Sequence, residues 1–213
     1  MPARVAADMR LVVVNSGIGN LGAIPNMLRR IGVDAVVTDD PATIEGADKL
    51  ILPGVGSFDA AARRLDELDL VPILNRKVLE QRTPVLGLCL GMQLLGEGSQ
   101  EGELPGLGWI GGRVVRFRFD GSDPGLRVPH MGWNFVRPAA PTRLLDGLGD
   151  HPRFYFAHSY HFVCADATDA VGVTEYGVEF PSVIARGNVY GAQFHPEKSH
   201  RFGLRFLENF VGL

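Results

Sequence analysis

The cysteine in Gly87-Leu88-Cys89-Leu90-Gly91 is the residue whose surroundings most invite chemistry. The stretch follows the apolar run Val85-Leu86 and precedes the apolar start of a predicted helix, which is the strand–turn–helix setting of a nucleophile elbow. Two glycines remove side chains that would clash in so tight a turn, and the central residue is pushed out above the sheet edge. The thiolate is the attacking form of cysteine, and the N-terminus of the next helix favours it. The backbone N–H of Leu90 then points where a tetrahedral oxyanion would form. A free cysteine among small residues also fits a plain packing role, so the functional reading needs partners elsewhere in the chain.

Gly191-Ala192-Gln193-Phe194-His195-Pro196-Glu197-Lys198-Ser199 supplies them. A cysteine nucleophile needs a base, and the base needs an acceptor to orient it. His195 can be the base. Glu197 lies two residues on, hence on the same side of an extended chain, and can hold the imidazole. Pro53-Gly54-Val55-Gly56 is a third piece, again after a buried strand, where glycines let the backbone approach a ligand or aim an N–H. It could offer a second oxyanion donor beside Cys89. Two further clusters, Pro129-His130-Met131-Gly132-Trp133-Asn134 and Tyr155-Phe156-Ala157-His158-Ser159-Tyr160-His161, mix aromatic and polar types. Their histidines lack metal-ligand spacing, and His151 and His200 read as surface residues.

These pieces need a scaffold that brings strand ends together. Leu11-Val12-Val13-Val14, Asp34 to Thr38, Lys49 to Leu52 and Val85 to Gly87 read as strands. Leu21 to Ile31, with Asn20 as N-cap and Gly32 as stop, reads as a helix, as do Phe58 to Leu65 and Val71 to Gln81. Alternating strand and helix predicts a parallel sheet covered on both faces, with sites at the strand C-termini. Later, 114–119, 133–136, 154–157, 162–164, 171–176, 182–185 and 189–193 read as strands between Gly- and Pro-rich turns, before a closing helix over 202–210. The expectation is one α/β domain whose central sheet gains an antiparallel part, spanning residues 10–213 behind a floppy extension, residues 1–9.

The composition agrees with an ordinary globular chain: 213 residues, 46% hydrophobic, 21% charged, net charge −3. Nothing marks a nucleic-acid binder. No apolar run reaches the ~18 residues of a membrane helix, and Met1 to Asp8 lacks a signal-peptide h-region. Two distant cysteines imply no disulfide framework, so the cytoplasm is the expected compartment.

The ordered set PGVGSFD, GLCLGMQLL, VPHMGWN, YFAHSY and GAQFHPEKS resembles the class I (triad) glutamine amidotransferases. Within them it is most similar to the glutaminase subunit of imidazole glycerol phosphate synthase, from about Leu11 to Phe210. The resemblance implies a three-layer, flavodoxin-like open sheet, mostly parallel with an antiparallel extension. It implies Cys89 as nucleophile, His195 as base and acid, Glu197 as orienter, and Leu90 and Val55 as oxyanion donors. Gly54, Gly56, Gln93, Ser159 and Tyr160 would line the glutamine pocket. Asn20, Trp133, Tyr155 and Lys198 would lie towards the partner, near the gate through which ammonia leaves. That partner would be a (β/α)₈ barrel cyclase forming a heterodimer, and neither metal nor organic cofactor is expected for the glutaminase step. One departure is the first turn, Asn15-Ser16-Gly17-Ile18-Gly19-Asn20, where the family usually has Asp-Tyr-Gly-x-Gly-Asn; it bears on the partner side. Asn26 to Ala35 and Ser159-Tyr160-His161 also resemble a paralogous branch that amidates a nucleotide-activated sugar for surface polysaccharide. A silent regulatory module is disfavoured by the intact Cys89, His195 and Glu197, and a cysteine protease of the same sheet type by Gln93 and PGVG.

Overall fold

A computed structural model of the chain describes residues 9–17, 22–119, 121 and 125–213. Its first half alternates strands β1 (Leu11–Val14), β2 (Ala35–Thr38), β3 (Lys49–Gly54) and β4 (Val85–Cys89) with helices α1 (Ala23–Arg30), α2 (Pro41–Glu45), α3 (Phe58–Glu67) and α4 (Leu70–Asn75). The short helix α5 (Leu90–Leu94) leaves β4 directly. The second half is mostly strand: β5 (Gly98–Ser99), β6 (Gly112–Arg116), β7 (His130–Phe135), β8 (Arg137–Pro138), β9 (Arg153–His158), β10 (Tyr160–Cys164), β11 (Ala170–Tyr176), β12 (Val178–Arg186) and β13 (Val189–Ala192), closed by α6 (His200–Val211).

The central sheet runs β2-β1-β3-β4-β13-β12-β11-β8. Its first five strands are parallel and the last three pair antiparallel. The strands sit between two cores because successive side chains point to opposite faces. Leu11 and Val13 join Ile24, Met27 and Leu28 of α1 and Phe206, Leu207 and Phe210 of α6 on one face. Val12 and Val14 join Phe58, Ala61 and Leu65 of α3 and Ile73 and Leu74 of α4 on the other. That is the expected three-layer arrangement, and the all-apolar β1 reads as it does because both its faces are buried. Lys49 at the start of β3 is buried, and its ammonium donates to the carbonyls of Phe210 (3.0 Å) and Val211 (2.7 Å). It thereby caps the C-terminus of α6 and ties the last helix to the sheet.

Several elements differ from the sequence-based expectation. Val71 to Gln81 is not one regular helix: α4 gives way to a π-helical turn over Arg76–Glu80. Helix α2 carries Pro41 at its start and the Asp40 cap, accepting from Thr43 N (2.8 Å), but at five residues it is too short to show periodicity. The late strands do not all join the central sheet. β10-β6-β5 form a three-stranded sheet and β7-β9 a two-stranded one, because strand propensity says nothing about which partner a strand takes. The predicted N-cap Asn20 and residues 1–8 of the proposed extension lie outside the described residues. Among the described residues, no helix is long and apolar enough to cross a membrane.

Candidate active site

Cys89 ends β4 with φ 53° and ψ −110°, a backbone conformation that side-chain-bearing residues seldom adopt. The turn is tight enough that a Cβ on Gly87 would meet the carbonyl oxygen of Gly91 at 2.6 Å, and a Cβ on Gly91 would collide with the carbonyl oxygen of Leu52. The two glycines are therefore needed for close backbone approach, and strain is concentrated at the cysteine between them. Leu90 opens α5, so its N–H belongs to the first turn, where helical N–H groups have no intrahelical acceptor.

Strand pairing brings the other pieces to this point. Gly54, at the end of β3, is in register with Cys89, which sets Val55 and Gly56 beside the elbow. On the other side Ala192 of β13 is in register with Leu88, so the chain leaving β13 carries His195 towards Cys89. His195 and Glu197 are not on an extended segment: Pro196–Lys198 is a single 3₁₀ turn, and that turn, rather than strand alternation, folds Glu197 back. Glu197 Oε1 lies 2.9 Å from His195 Nδ1. Cys89 lies on the other side of the ring, leaving Nε2 as the nitrogen that faces the sulfur. Ser199 braces the turn: its Oγ donates to His195 O (2.6 Å) and accepts from Tyr155 N (3.0 Å).

Burial works against a charged imidazole at His195, but Cys89 and Glu197 outweigh it and raise its pKa above the ordinary value. Burial likewise opposes the charge on Glu197, and His195 prevails, holding that carboxyl below its ordinary range. The buried trio is thus arranged to carry an imidazolium flanked by a carboxylate and a sulfur.

Cys89 and His195 border a cleft of about 350 Å³ lined also by Val55, Gly56, Leu90, Gln93, Ser159, Tyr160 and Lys198, together with Glu101, Met131 and His158. Gly54 faces instead a small adjoining crevice with Pro53, Leu88 and Glu197, because the pleat turns it under the elbow. Gln93 is buried, and its Nε2 donates to Tyr160 O (3.1 Å) and Gln193 Oε1 (3.1 Å). Gln193, fully buried, donates through Nε2 towards Cys89 Sγ (3.7 Å). Trp133 and Tyr155 pair across β7 and β9 with ring centroids 6.2 Å apart, and Lys198 Nζ sits 5.4 Å over the Tyr155 ring. Those three therefore cluster beside His195, whose N–H donates to Tyr155 O.

Sequence reasoning passed over Glu101, which lies in a turn outside every motif; its Oε2 accepts from Phe58 N (2.9 Å) at the start of α3 while its side chain borders the cleft. It also gave no role to Gln193, His130 or His158, although all three stand inside motifs that were singled out. Only the contacts reveal them.

His130 and His158 give the molecule a pH dependence. Burial lowers their pKa values to about 4 and about 3, so both rings are neutral when folded. The unfolded chain binds protons at these residues below about pH 6.5, whereas the folded chain does so only below its lowered values. The stability these two rings contribute is therefore complete above about pH 6.5 and falls as pH drops below it. At pH 5 the cost is about 2 kcal/mol for each ring. Thermal melts between pH 7 and 4.5 should show this decline, and His130→Phe should flatten it; a melting temperature independent of pH over that range would contradict it.

The fold is that of a solved glutamine amidotransferase structure, which superposes with a TM-score of 0.72, covering 95% of this chain and 99% of that one at 23% identity. The family model for class I glutamine amidotransferases matches residues 12–212, and the chain belongs to that family. A Methanococcus maripaludis relative named imidazole glycerol phosphate synthase subunit HisH 2 is 48% identical over 201 residues, 94% of this chain and 98% of the relative. A Pseudomonas aeruginosa protein of the same name is 48% identical over 203 residues, 95% of this chain and 99% of the relative.

Proposed function

We propose that this chain is the glutaminase subunit of an imidazole glycerol phosphate synthase in histidine biosynthesis, working through a Cys89-His195-Glu197 triad. The observation that carries the reading is the Glu197–His195 hydrogen bond behind an imidazole that faces Cys89, with Cys89 and His195 on the wall of one cleft. The names of the relatives supply the synthase and imply a second subunit.

Cys89 Sγ attacks the side-chain carbonyl carbon of glutamine. The N–H groups of Leu90 and Val55 receive the oxyanion, and His195 Nε2 passes its proton to the departing nitrogen, releasing ammonia. Water then gives a proton back to His195 and hydrolyses the thioester to glutamate. Glu197 keeps the ring in place through Nδ1. Both hydrogens of the Gln93 amide are used within the protein, which leaves its Oε1 to accept from the α-ammonium of the substrate. The Glu101 carboxylate supports the same end, and Gly56 with the Ser159–Tyr160 backbone completes the pocket. Ammonia leaves past Lys198, Tyr155 and Trp133 into a (β/α)₈ barrel cyclase. The exposed, alternating Met131, Trp133 and Phe135 of β7 support a partner contact there. Gene neighbours and co-purification from the native host distinguish a histidine-pathway partner from a sugar-amidating one.

The two supporting members of the triad are expected to differ in weight. His195→Ala removes the group that moves protons and should lower kcat/KM by about 10²–10⁴-fold. Glu197→Gln keeps a hydrogen-bond acceptor at Nδ1 and should lose less. Glutamate release with the partner bound measures both, and an equal or reversed order overturns these roles.

A further inference from the structure

A chain of hydrogen bonds runs through the protein from β7 to the nucleophile, and its polarity can be assigned bond by bond. Tyr160 O can only accept. His158 Nδ1, 2.7 Å away, must therefore carry a hydrogen. In a neutral ring that makes His158 Nε2 an acceptor, so His130 Nδ1, at 3.0 Å, is the donor to it. His130 Nε2 is then the acceptor for Asn134 Nδ2 at 3.3 Å. The other hydrogen of Asn134 Nδ2 goes to Glu175 O (2.9 Å), and its Oδ1 accepts from Phe135 N (2.8 Å), so the far end is anchored to two strands. At the near end Tyr160 O accepts a second bond, from Gln93, which also donates to Gln193, which donates towards Cys89.

The surroundings leave the two imidazoles little choice of partner. His130 lies against Tyr176 (centroids 4.0 Å apart) and Phe156 (4.7 Å), and His158 against Phe117 and Phe180 (5.3 Å each). His130 is 3% exposed and His158 6%. Buried polar atoms without a partner are costly, so a ring enclosed in this way is held to the bonds it has. Burial keeps both rings neutral, which is what the assigned donor order requires.

We propose that His158, held by His130, is a positioning residue for glutamine binding: its Nδ1–H fixes the Tyr160 carbonyl, and through it the Gln93 amide that closes the substrate cleft beside Cys89. The proposal rests on the assignment of that cleft to glutamine. His158 does not take part in proton transfer. It sets where the polar wall of the pocket stands. Asn134 extends the same arrangement to the strand that carries Met131, Trp133 and Phe135.

Calorimetric titration of L-glutamine into the chain in a Cys89→Ala background tests this, because substrate binds there without turnover. Adding His158→Phe keeps an aromatic ring but removes the donor, and should weaken glutamine binding by about 3–10-fold, the size of one net hydrogen bond. Stoichiometry should stay at the parent's value, whereas a residue needed only for folding would lower the number of sites and leave affinity alone. His158→Asn places an amide N–H near the position of Nδ1–H and should restore binding close to the parent's. Unchanged affinity in His158→Phe, with the parent binding glutamine, overturns the proposal alone. A parent that does not bind glutamine overturns the reading of the cleft and the proposal with it. Should His158→Phe fail to fold, ¹⁵N imidazole NMR of the unaltered chain decides: neutral rings with hydrogen on Nδ1 at both His130 and His158 are expected, and hydrogen on Nε2 of His158 overturns the assignment.

Discussion

Glutamine-dependent product formation should disappear in a complex carrying Cys89→Ala, while product formation from added ammonium salt persists. The proposed division of labour places ammonia production in this chain and its use in the partner. The substitution removes one sulfur from a residue that is 7% exposed. It strands the Gln193 Nε2 donor, whose contact with sulfur is long at 3.7 Å. Alanine also tolerates the site no worse than cysteine does, since the positive φ strains either residue. The folded chain should therefore survive and still occupy its partner, so that ammonia from solution reaches the synthase site. Steady-state assays of the purified complex with glutamine and with ammonium chloride provide the measurement. Loss of both activities in a folded complex would contradict the division.

The isolated subunit should be nearly idle, and the complex with acceptor ligand should be faster by about 10²–10³-fold, the effect of one oxyanion donor, or roughly 2.7–4 kcal/mol. The donor at issue is the N–H of Val55. It follows Gly54, which is pinned in register with Cys89 and has no room for a side chain, as a Cβ there would lie 2.7 Å from Gly91 N. Val55 itself is 39% exposed at the rim of the cleft, so a partner can reach it. A valine peptide unit turned towards the oxyanion adopts a costly backbone conformation and is populated when partner contacts or ligand favour it. Unspent glutamine is the benefit of that arrangement. Glutamate release by the subunit alone, by the complex, and by the complex with acceptor ligand decides the matter. A subunit that turns over alone at the full rate of the complex would rule out partner gating.

Much of this was legible from residue types and spacing. The apolar runs ending at Pro53 and Leu88 have to be buried strands, and the glycines on either side of Cys89 leave the chain one way to turn. Those are local constraints, set by sterics and by side-chain alternation within a few residues, so the chain itself determines them. The approach of His195 to Cys89 could be expected from two strand ends, but the contact exists because β13 pairs with β4 rather than with another strand. The 3₁₀ turn that folds Glu197 onto His195, where an extended segment was expected, depends on Ser199 bonding to Tyr155 in a separate sheet. The separation of β7-β9 and β10-β6-β5 from the central sheet, the entry of Glu101 into the cleft, and the line of bonds from Asn134 to Gln93 are decided only by tertiary structure. The reason is physical. A side chain's type states what it can donate or accept, whereas its partner is set by which distant segment the packed core delivers to within 3 Å of it.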